Sequence, residues 1–339
     1  MKENIEICEM GEPTVQVDGE EQAEQFLSRL NRPNNLEQVK QKVLSFCQRQ
    51  TDHGLPNSRF VLITSGGTSV PLERNTVRFI DNFSRGTRGA SSAEKFLQKG
   101  YAVIFLRRTS TLEPFLRHFN QRLVFDTLSE CLTCEDDDDK LALEPMHNLM
   151  DDMKDLFKIY RETKDRLLTI DFVELCEYIH YLHLISSVIH ELAPKSIFYL
   201  AAAVSDFYVP PSNLSTHKID SGEPLKLTLE LVPKFLHPLV KYWAPDAYVV
   251  SFKLETDPLK LIAKSRKALD CYGHKLVIAN ELASRTERVL LVDKTHSKEI
   301  NLHEINPPIK EIETAIVEEL VQRHDKFLQA SQPDYNGRD

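Results

Sequence analysis

No stretch of this 339-residue chain approaches the roughly 18 consecutive apolar residues of a membrane-crossing helix. Its opening, Met1-Lys2-Glu3-Asn4, is too polar and acidic for a secretion signal, so a cytoplasmic location is expected. Positive charge is in deficit as well: 42 Lys and Arg face 51 Asp and Glu, for a formal net charge of -9. That removes any chain-wide basic field, and neither nucleic acid nor an anionic membrane is expected as the main partner. An anionic ligand would have to be met locally. Cysteines are few and scattered, at positions 8, 47, 131, 134, 176 and 271. The only close pair, Cys131 and Cys134, runs into the acidic stretch 135–139 and lacks a second pair or a His at metal-ligand spacing. Neighbouring carboxylates also raise a thiol's pKa, so the pair is assigned no function.

What the chain does have is enough apolar material, 41% of residues against 27% charged, for one large α/β domain or two smaller ones. Val61-Leu62-Ile63-Thr64 reads as a buried strand that enters Ser65-Gly66-Gly67-Thr68. A second Gly-rich turn, Asn82-Phe83-Ser84-Arg85-Gly86-Thr87-Arg88-Gly89, opens a helix expected over about 87–99. Strand, glycine turn and helix N-terminus together make an anion site, because glycine lets the backbone approach a ligand and the first helical N–H groups face it. Two ordinary tight turns would give the same letters. The next strand, Tyr101 to Leu106, follows so closely that parallel pairing is implied.

Further along, Ile197 to Leu200 ends in Ala201-Ala202-Ala203-Val204-Ser205-Asp206, small residues that leave room at the carboxyl edge of a sheet. A loop with Pro210-Pro211 and His217-Lys218-Ile219-Asp220 is long enough to fold over a site, and Lys218 is its cation. Leu225 to Leu231 alternates strictly, predicting a half-exposed antiparallel strand able to pair with a partner chain. Strands over 247–252 and 275–280 flank a helix of about 257–271, placing Phe252 and Asn280 at the same edge as Gly66 and Ala203. There an aromatic ring can stack on a base and an amide can read its polar rim. A final strand is expected at 288–292 and a helix at about 310–324. Before the core, Leu36, Val39, Val43 and Phe46 form one helical stripe, with Asn35 as its N-cap. A helix is predicted to include Phe172 through Ile189 and carries His180 and His183, which lack a third metal ligand. The region 109–167 is the least legible, and its acidic run reads as a solvated loop.

Five pieces in order resemble one family: Ser65-Gly66-Gly67-Thr68; Arg78 and Asn82 followed by Phe83-Ser84-Arg85-Gly86; Ala201 to Phe207; His217-Lys218-Ile219; and Phe252-Lys253-Leu254-Glu255-Thr256-Asp257. The chain is similar, over roughly 59–293, to the phosphopantothenate-cysteine ligases of coenzyme A biosynthesis, of the free-standing eukaryotic kind. The resemblance implies a Rossmann-like three-layer α/β/α fold with a mostly parallel sheet, plus an antiparallel strand-and-loop segment for dimerisation and closure. It divides the chain into a helical extension (1–58), one ligase domain (59–330) with an acidic insertion near 135–152 and a flap near 206–235, and a disordered tail (331–339).

The resemblance also implies that ATP activates the carboxylate of 4'-phosphopantothenate as an acyl-adenylate, which the amine of L-cysteine then attacks. CTP is the alternative nucleotide, Mg2+ would accompany the triphosphate, and no dedicated protein metal site is expected. Asn82 would hold phosphopantothenate and the acyl intermediate, Lys218 would steady phosphate charge, and Arg78 would reach the substrate phosphate from the other subunit of a homodimer. Gly66, Ser84, Gly86, Gly89, Phe252 and Asn280 would line the nucleotide site; Ala202, Ala203 and Asp206 would line the substrate side. The chain departs from the bacterial Lys-x-Lys-Lys pattern, since Lys218-Ile219 is followed by Asp220-Ser221, leaving Lys234 and Lys253 as substitutes. Two rivals stand beside this reading. One is an NADP-dependent oxidoreductase, which Arg107-Arg108 could serve although no G-x-G-x-x-G is present; the other is an inactive binding relative.

Overall fold

The computed structural model describes residues 19–52, 58–119, 121–135, 138–141, 150–151 and 153–331. Six parallel strands form the heart of one sheet: β1 (Phe60–Ser65), β2 (Ala102–Arg108), β3 (Leu167–Phe172), β4 (Ser196–Leu200), β5 (Tyr248–Glu255) and β6 (Leu276–Glu281). Two antiparallel strands, β7 (Arg288–Val292) and β8 (Ser297–Asn301), extend it. The order across the sheet is β8-β7-β6-β5-β4-β1-β2-β3. Chain order therefore reverses between β1 and β4, the point where open α/β sheets bind ligands at their carboxyl ends.

Alternation along β1 assigns the two faces. Phe60 and Leu62 pack with α1 (Gly19–Arg29), α2 (Leu36–Asp52) and α6 (Leu175–Val188). Val61 and Ile63 face α3 (Thr87–Gln98) and α8 (Ile312–Ala330) on the other side. Between these in chain order lie α4 (Gln121–Cys131), α5 (Lys154–Thr163) and α7 (Pro258–Tyr272), the last starting from Asp257, whose Oδ1 accepts the Leu259 N–H at 3.0 Å. Both faces of β1 are covered, which is why it reads as an unbroken apolar run.

Several expectations need correction. Phe172 ends β3 instead of belonging to the helix, which begins at Leu175. As an edge strand β3 needs little burial, so Leu-Leu-Thr-Ile-Asp-Phe carries no strong strand signal. The strand predicted over 225–231 shrinks to Glu230–Leu231, because its partner among the described residues is the two-residue strand Phe207–Tyr208. The acidic run is not a simple loop: Leu132–Glu135 pairs antiparallel with Asp138–Leu141. Strand β8 follows the strand expected to be last. Asn35 does not cap α2 with its side chain; its Oδ1 accepts from the Tyr181 hydroxyl at 2.6 Å. Most of the insertion near 135–152, the first 18 residues and the tail after 331 lie outside the described residues.

Candidate active site

The carboxyl end of β1 is a seam into which the 202–205 stretch, Asn82 and Gly86 are sewn by buried hydroxyls and backbone. Thr64 Oγ1 accepts the Ala202 N–H at 3.1 Å, Ser65 Oγ donates to the Gly86 carbonyl at 3.1 Å, and Thr68 Oγ1 accepts the Ser205 N–H at 2.9 Å. Gly67 pairs with Ala203, where the Ala203 N–H donates to Gly66 at 2.8 Å and the Thr68 N–H to Ala203 at 3.1 Å. The Asn82 N–H donates to the Thr68 carbonyl at 3.1 Å, which sets the end of the ribbon Ser69–Pro71/Phe79–Asp81 beside the glycine turn. Gly66 has φ of 86°, and a Cβ there would lie 2.6 Å from Arg108 Cβ. These expected residues, Gly66, Asn82, Ala202 and Ala203, thus meet at the point where strand order reverses.

Helix α3 starts against the same seam. Gly86, at φ 79°, precedes it without a side-chain cap, and a Cβ on Gly89 would lie 2.4 Å from Ser65 Oγ. The first turn can therefore sit flush on β1 with its N–H groups uncapped by a side chain. The Ser84 hydroxyl accepts the Gly86 N–H at 3.4 Å. Arg88 in that turn reaches away toward β6: it donates to Glu313 Oε1 at 2.8 Å, to Asn280 Oδ1 at 3.2 Å and to the Arg285 carbonyl. Asn280 also donates through Nδ2 to Ile278 at 3.1 Å. Buried with both ends of its amide engaged, Asn280 braces β6 against α3 in this state.

One of the ties that hold the flap is a buried carboxylate. Glu73, fully buried, accepts the N–H groups of Val77 at 3.2 Å and Arg78 at 2.9 Å, the Arg78 guanidinium at 3.2 Å and the Ile219 N–H at 3.4 Å. The Arg78 N–H, foremost among these donors, holds the Glu73 carboxyl below its ordinary pKa. Arg78 also donates to the Ile219 carbonyl at 3.0 Å. Arg78 and the Lys218-bearing loop are thus cross-linked, with Lys218 itself exposed next to the junction.

Below β4 and β5 lies a cleft of about 1110 Å³, walled by α6, α7 and the 232–239 segment. Ala202, Asp206 and Phe252 line it, as do Lys234, Lys253, Lys264 and Lys267. Phe252 stands edge-on to Tyr199 with centroids 4.8 Å apart. Asp206 pairs with Lys234, while Glu255 takes both Lys253 at 3.4 Å and Lys264 at 2.7 Å. The two substitute lysines therefore border the cleft already bound to carboxylates. Lys267, at the same cleft, has no ion-pair partner among the described residues.

Sequence reasoning passed over Glu73, Arg88, Lys264 and Lys267. Charged residues in a turn or on a helix carry no periodic signal, and the partners of Arg88 and one partner of Glu73 lie far along the chain. It did single out Arg107 and Arg108, which could have held an NADP phosphate. Arg107 pairs with Asp171 and Glu113, each at 2.8 Å, and Arg108 with Asp81 and the Gly67 carbonyl at 3.0 Å. Both are consumed inside the fold, which removes the main support for that rival.

Comparison with known proteins agrees with the geometry. Residues 167–321 match the family described as DNA/pantothenate metabolism flavoprotein C-terminal domain. A Homo sapiens protein named phosphopantothenate–cysteine ligase is 44% identical over 280 residues, 81% of this chain and 89% of that protein. The Saccharomyces cerevisiae phosphopantothenate–cysteine ligase CAB2 is 40% identical over 90% of this chain and 86% of its own length. A solved structure titled as a Cab2 mutant in complex with phosphopantothenate-cysteine superposes with a TM-score of 0.79 at 40% identity, covering 91% of this chain and all of that one. Similarity of this depth over nearly the whole described fold places the chain in the phosphopantothenate–cysteine ligase family.

Proposed function

We propose that this chain joins the carboxylate of 4'-phosphopantothenate to the amine of L-cysteine at the expense of ATP, by way of an acyl-adenylate. The observation that carries this reading is the β1 seam, which fixes Asn82, the Gly66-Gly67 turn and Ala203 together where strand order reverses. In the first step a carboxylate oxygen attacks the α-phosphorus, the bond to the β-phosphate breaks, and pyrophosphate leaves. The cysteine nitrogen then attacks the acyl carbon, loses a proton, and AMP departs with the former carboxylate oxygen. The substrates supply both nucleophiles, so the protein's share is positioning and charge.

In this assignment Asn82 orients the acyl group, Arg78 and Lys218 meet phosphate charge, and the uncapped start of α3 with Gly86 and Gly89 faces a phosphate. Phe252 and the cleft beside Ala202 and Asp206 take the remaining ligand surface. Magnesium would enter with the triphosphate as part of the substrate, bridging phosphate oxygens. A homodimer fits the exposed apolar side chains of Val77, Phe79, Phe83, Phe207, Leu225, Leu227 and Leu231, carried by segments that adjoin one another around the flap.

The test is pyrophosphate release by the purified protein with phosphopantothenate, Mg2+ and cysteine, comparing ATP with CTP and omitting each component in turn. Release that needs phosphopantothenate, with a cysteine-dependent amide product, supports the reading and names the nucleotide. Silence with both nucleotides overturns it. If Arg78 acts across a dimer, mixing R78Q and N82D protomers restores part of the activity that each lacks alone.

A further inference from the structure

We propose that Glu73 is a positioning residue for the ligation, a latch that holds the Lys218 loop and the Arg78 turn as one unit. The inference rests on the ligase reading of those two cations and adds how they are kept together. A carboxylate that only finished its own turn would spend its oxygens on local donors, as Glu73 Oε2 does with the N–H groups of Val77 and Arg78. Its other oxygen does something else. Oε1 takes the Arg78 guanidinium at 3.2 Å and the Ile219 N–H at 3.4 Å, bridging 146 positions of sequence to the residue that follows Lys218.

The bridge is reinforced on either side. Arg78 Nη1 donates to the Ile219 carbonyl at 3.0 Å, so guanidinium, carboxylate and the Ile219 peptide close a ring of bonds. The Arg74 N–H donates to Ser215 at 2.8 Å, the Asn75 N–H to Thr216 at 3.2 Å, and the Arg74 side chain to Pro211 at 3.1 Å. The flap is therefore hinged along 211–216 and pinned at 219, with Lys218 held one residue from the pin. Glu73 is completely buried, although Arg78 beside it is partly open and Lys218 exposed. A buried carboxylate surrounded by donors keeps its geometry because losing any partner strands a desolvated group. Two cations that must meet charge in one transition state gain from such a rigid coupling, since misplacement by an ångström can cost about 10²-fold in rate.

The experiment pairs hydrogen exchange over residues 213–221 with steady-state ligation, using E73Q, K218Q and the double variant. E73Q should raise exchange in that segment about tenfold and lower kcat about tenfold, with a smaller loss on the K218Q background than on the wild type, because part of its effect passes through that lysine and the rest through Arg78. Unchanged exchange, or losses that multiply in the double variant, would overturn the latch. Should E73Q fail to fold, E73D serves instead: it keeps the charge and the turn's N–H partners but is too short to reach Ile219. A wild-type protein that makes no phosphopantothenoylcysteine sinks the ligase reading itself, whereas an active wild type matched by an unaltered E73Q sinks only the latch.

Discussion

The carbonyl oxygen of Asn82 stands 1.6 Å from the point where a side chain on Gly67 would begin. No rotamer change can relieve that clash, because a Cβ is fixed by its own backbone and the carbonyl it meets is backbone, so Gly67→Ala must push the Asn82 ribbon off the β1 seam. The expected outcome is a folded protein that has lost about 10²-fold or more in ligation rate, the scale set by misplacing one positioned group. Circular dichroism with a ligation assay checks it. Wild-type turnover in the variant would show that the position of Asn82 does not matter to the chemistry.

Asn82→Asp and Lys218→Gln should separate the two half-reactions. A carboxylate at 82 would face anionic ligands, and the amide-forming step should slow more than activation, so pyrophosphate release would outrun amide product. Lys218 is exposed, and its replacement should leave the melting temperature unchanged while lowering kcat about 10²-fold, comparable to losing one preorganised donor. Equal slowing of both steps in N82D would remove its assigned role in the acyl transfer.

Legibility followed burial. Strand β1, helix α3 and β6 could be read within a residue or two, because each is covered on the faces its apolar pattern indicates. The glycine turn and Ala202-Ala203 were placed at the right sheet edge, although small residues there could equally have served ordinary turns or close packing. By contrast, β3 hid as a half-buried edge strand, and the alternating 225–231 run advertised a partner strand that the described residues supply for two residues. Glu73 and Arg88 were silent because a charged residue in a turn looks the same whether it faces water or a partner at 219 or 280. Asn280 shows the converse: it lies at the expected edge, but its amide is spent on Arg88 and the Ile278 carbonyl.

Helix α1 tests whether the segment before the α/β core supports the site. Phe26 is buried against Tyr208 at 5.0 Å between ring centroids and against Phe235 at 5.6 Å. Tyr208 belongs to the base of the flap, and Phe235 lines the cleft. Phe26→Ala should therefore cost about 3–5 kcal/mol of stability and also raise KM for a substrate bound in the cleft. Urea unfolding and kinetics on the surviving folded protein check both parts. A loss of stability with unchanged KM would confine α1 to a scaffolding role.

Acid should unfold this protein through two buried imidazoles before its carboxylates titrate. His324 is fully buried; its Nδ1 lies 2.8 Å from the Tyr101 hydroxyl and its Nε2 3.3 Å from the Pro194 carbonyl, an arrangement that suits the neutral ring. Burial pushes its pKa from 6.5 down to about 4, and does the same for His274, whose Nε2 meets Ser251 Oγ at 2.8 Å. Between about pH 6.5 and 4 the unfolded chain therefore binds protons that the native chain refuses. Stability is complete above that window and falls as pH drops through it, by up to about 1.4 kcal/mol per pH unit for each ring. Glu311 adds to the loss only lower down: burial alone would raise its pKa, but hydrogen bonds from Arg117 hold it at about 2, so its contribution fades below 4.5. Urea unfolding at pH 7.5, 6.5, 5.5 and 5.0 should show this slope, and His324→Gln should make it shallower whatever its effect at neutral pH. A flat profile between pH 6.5 and 5.0 would mean that water reaches both rings in the native state.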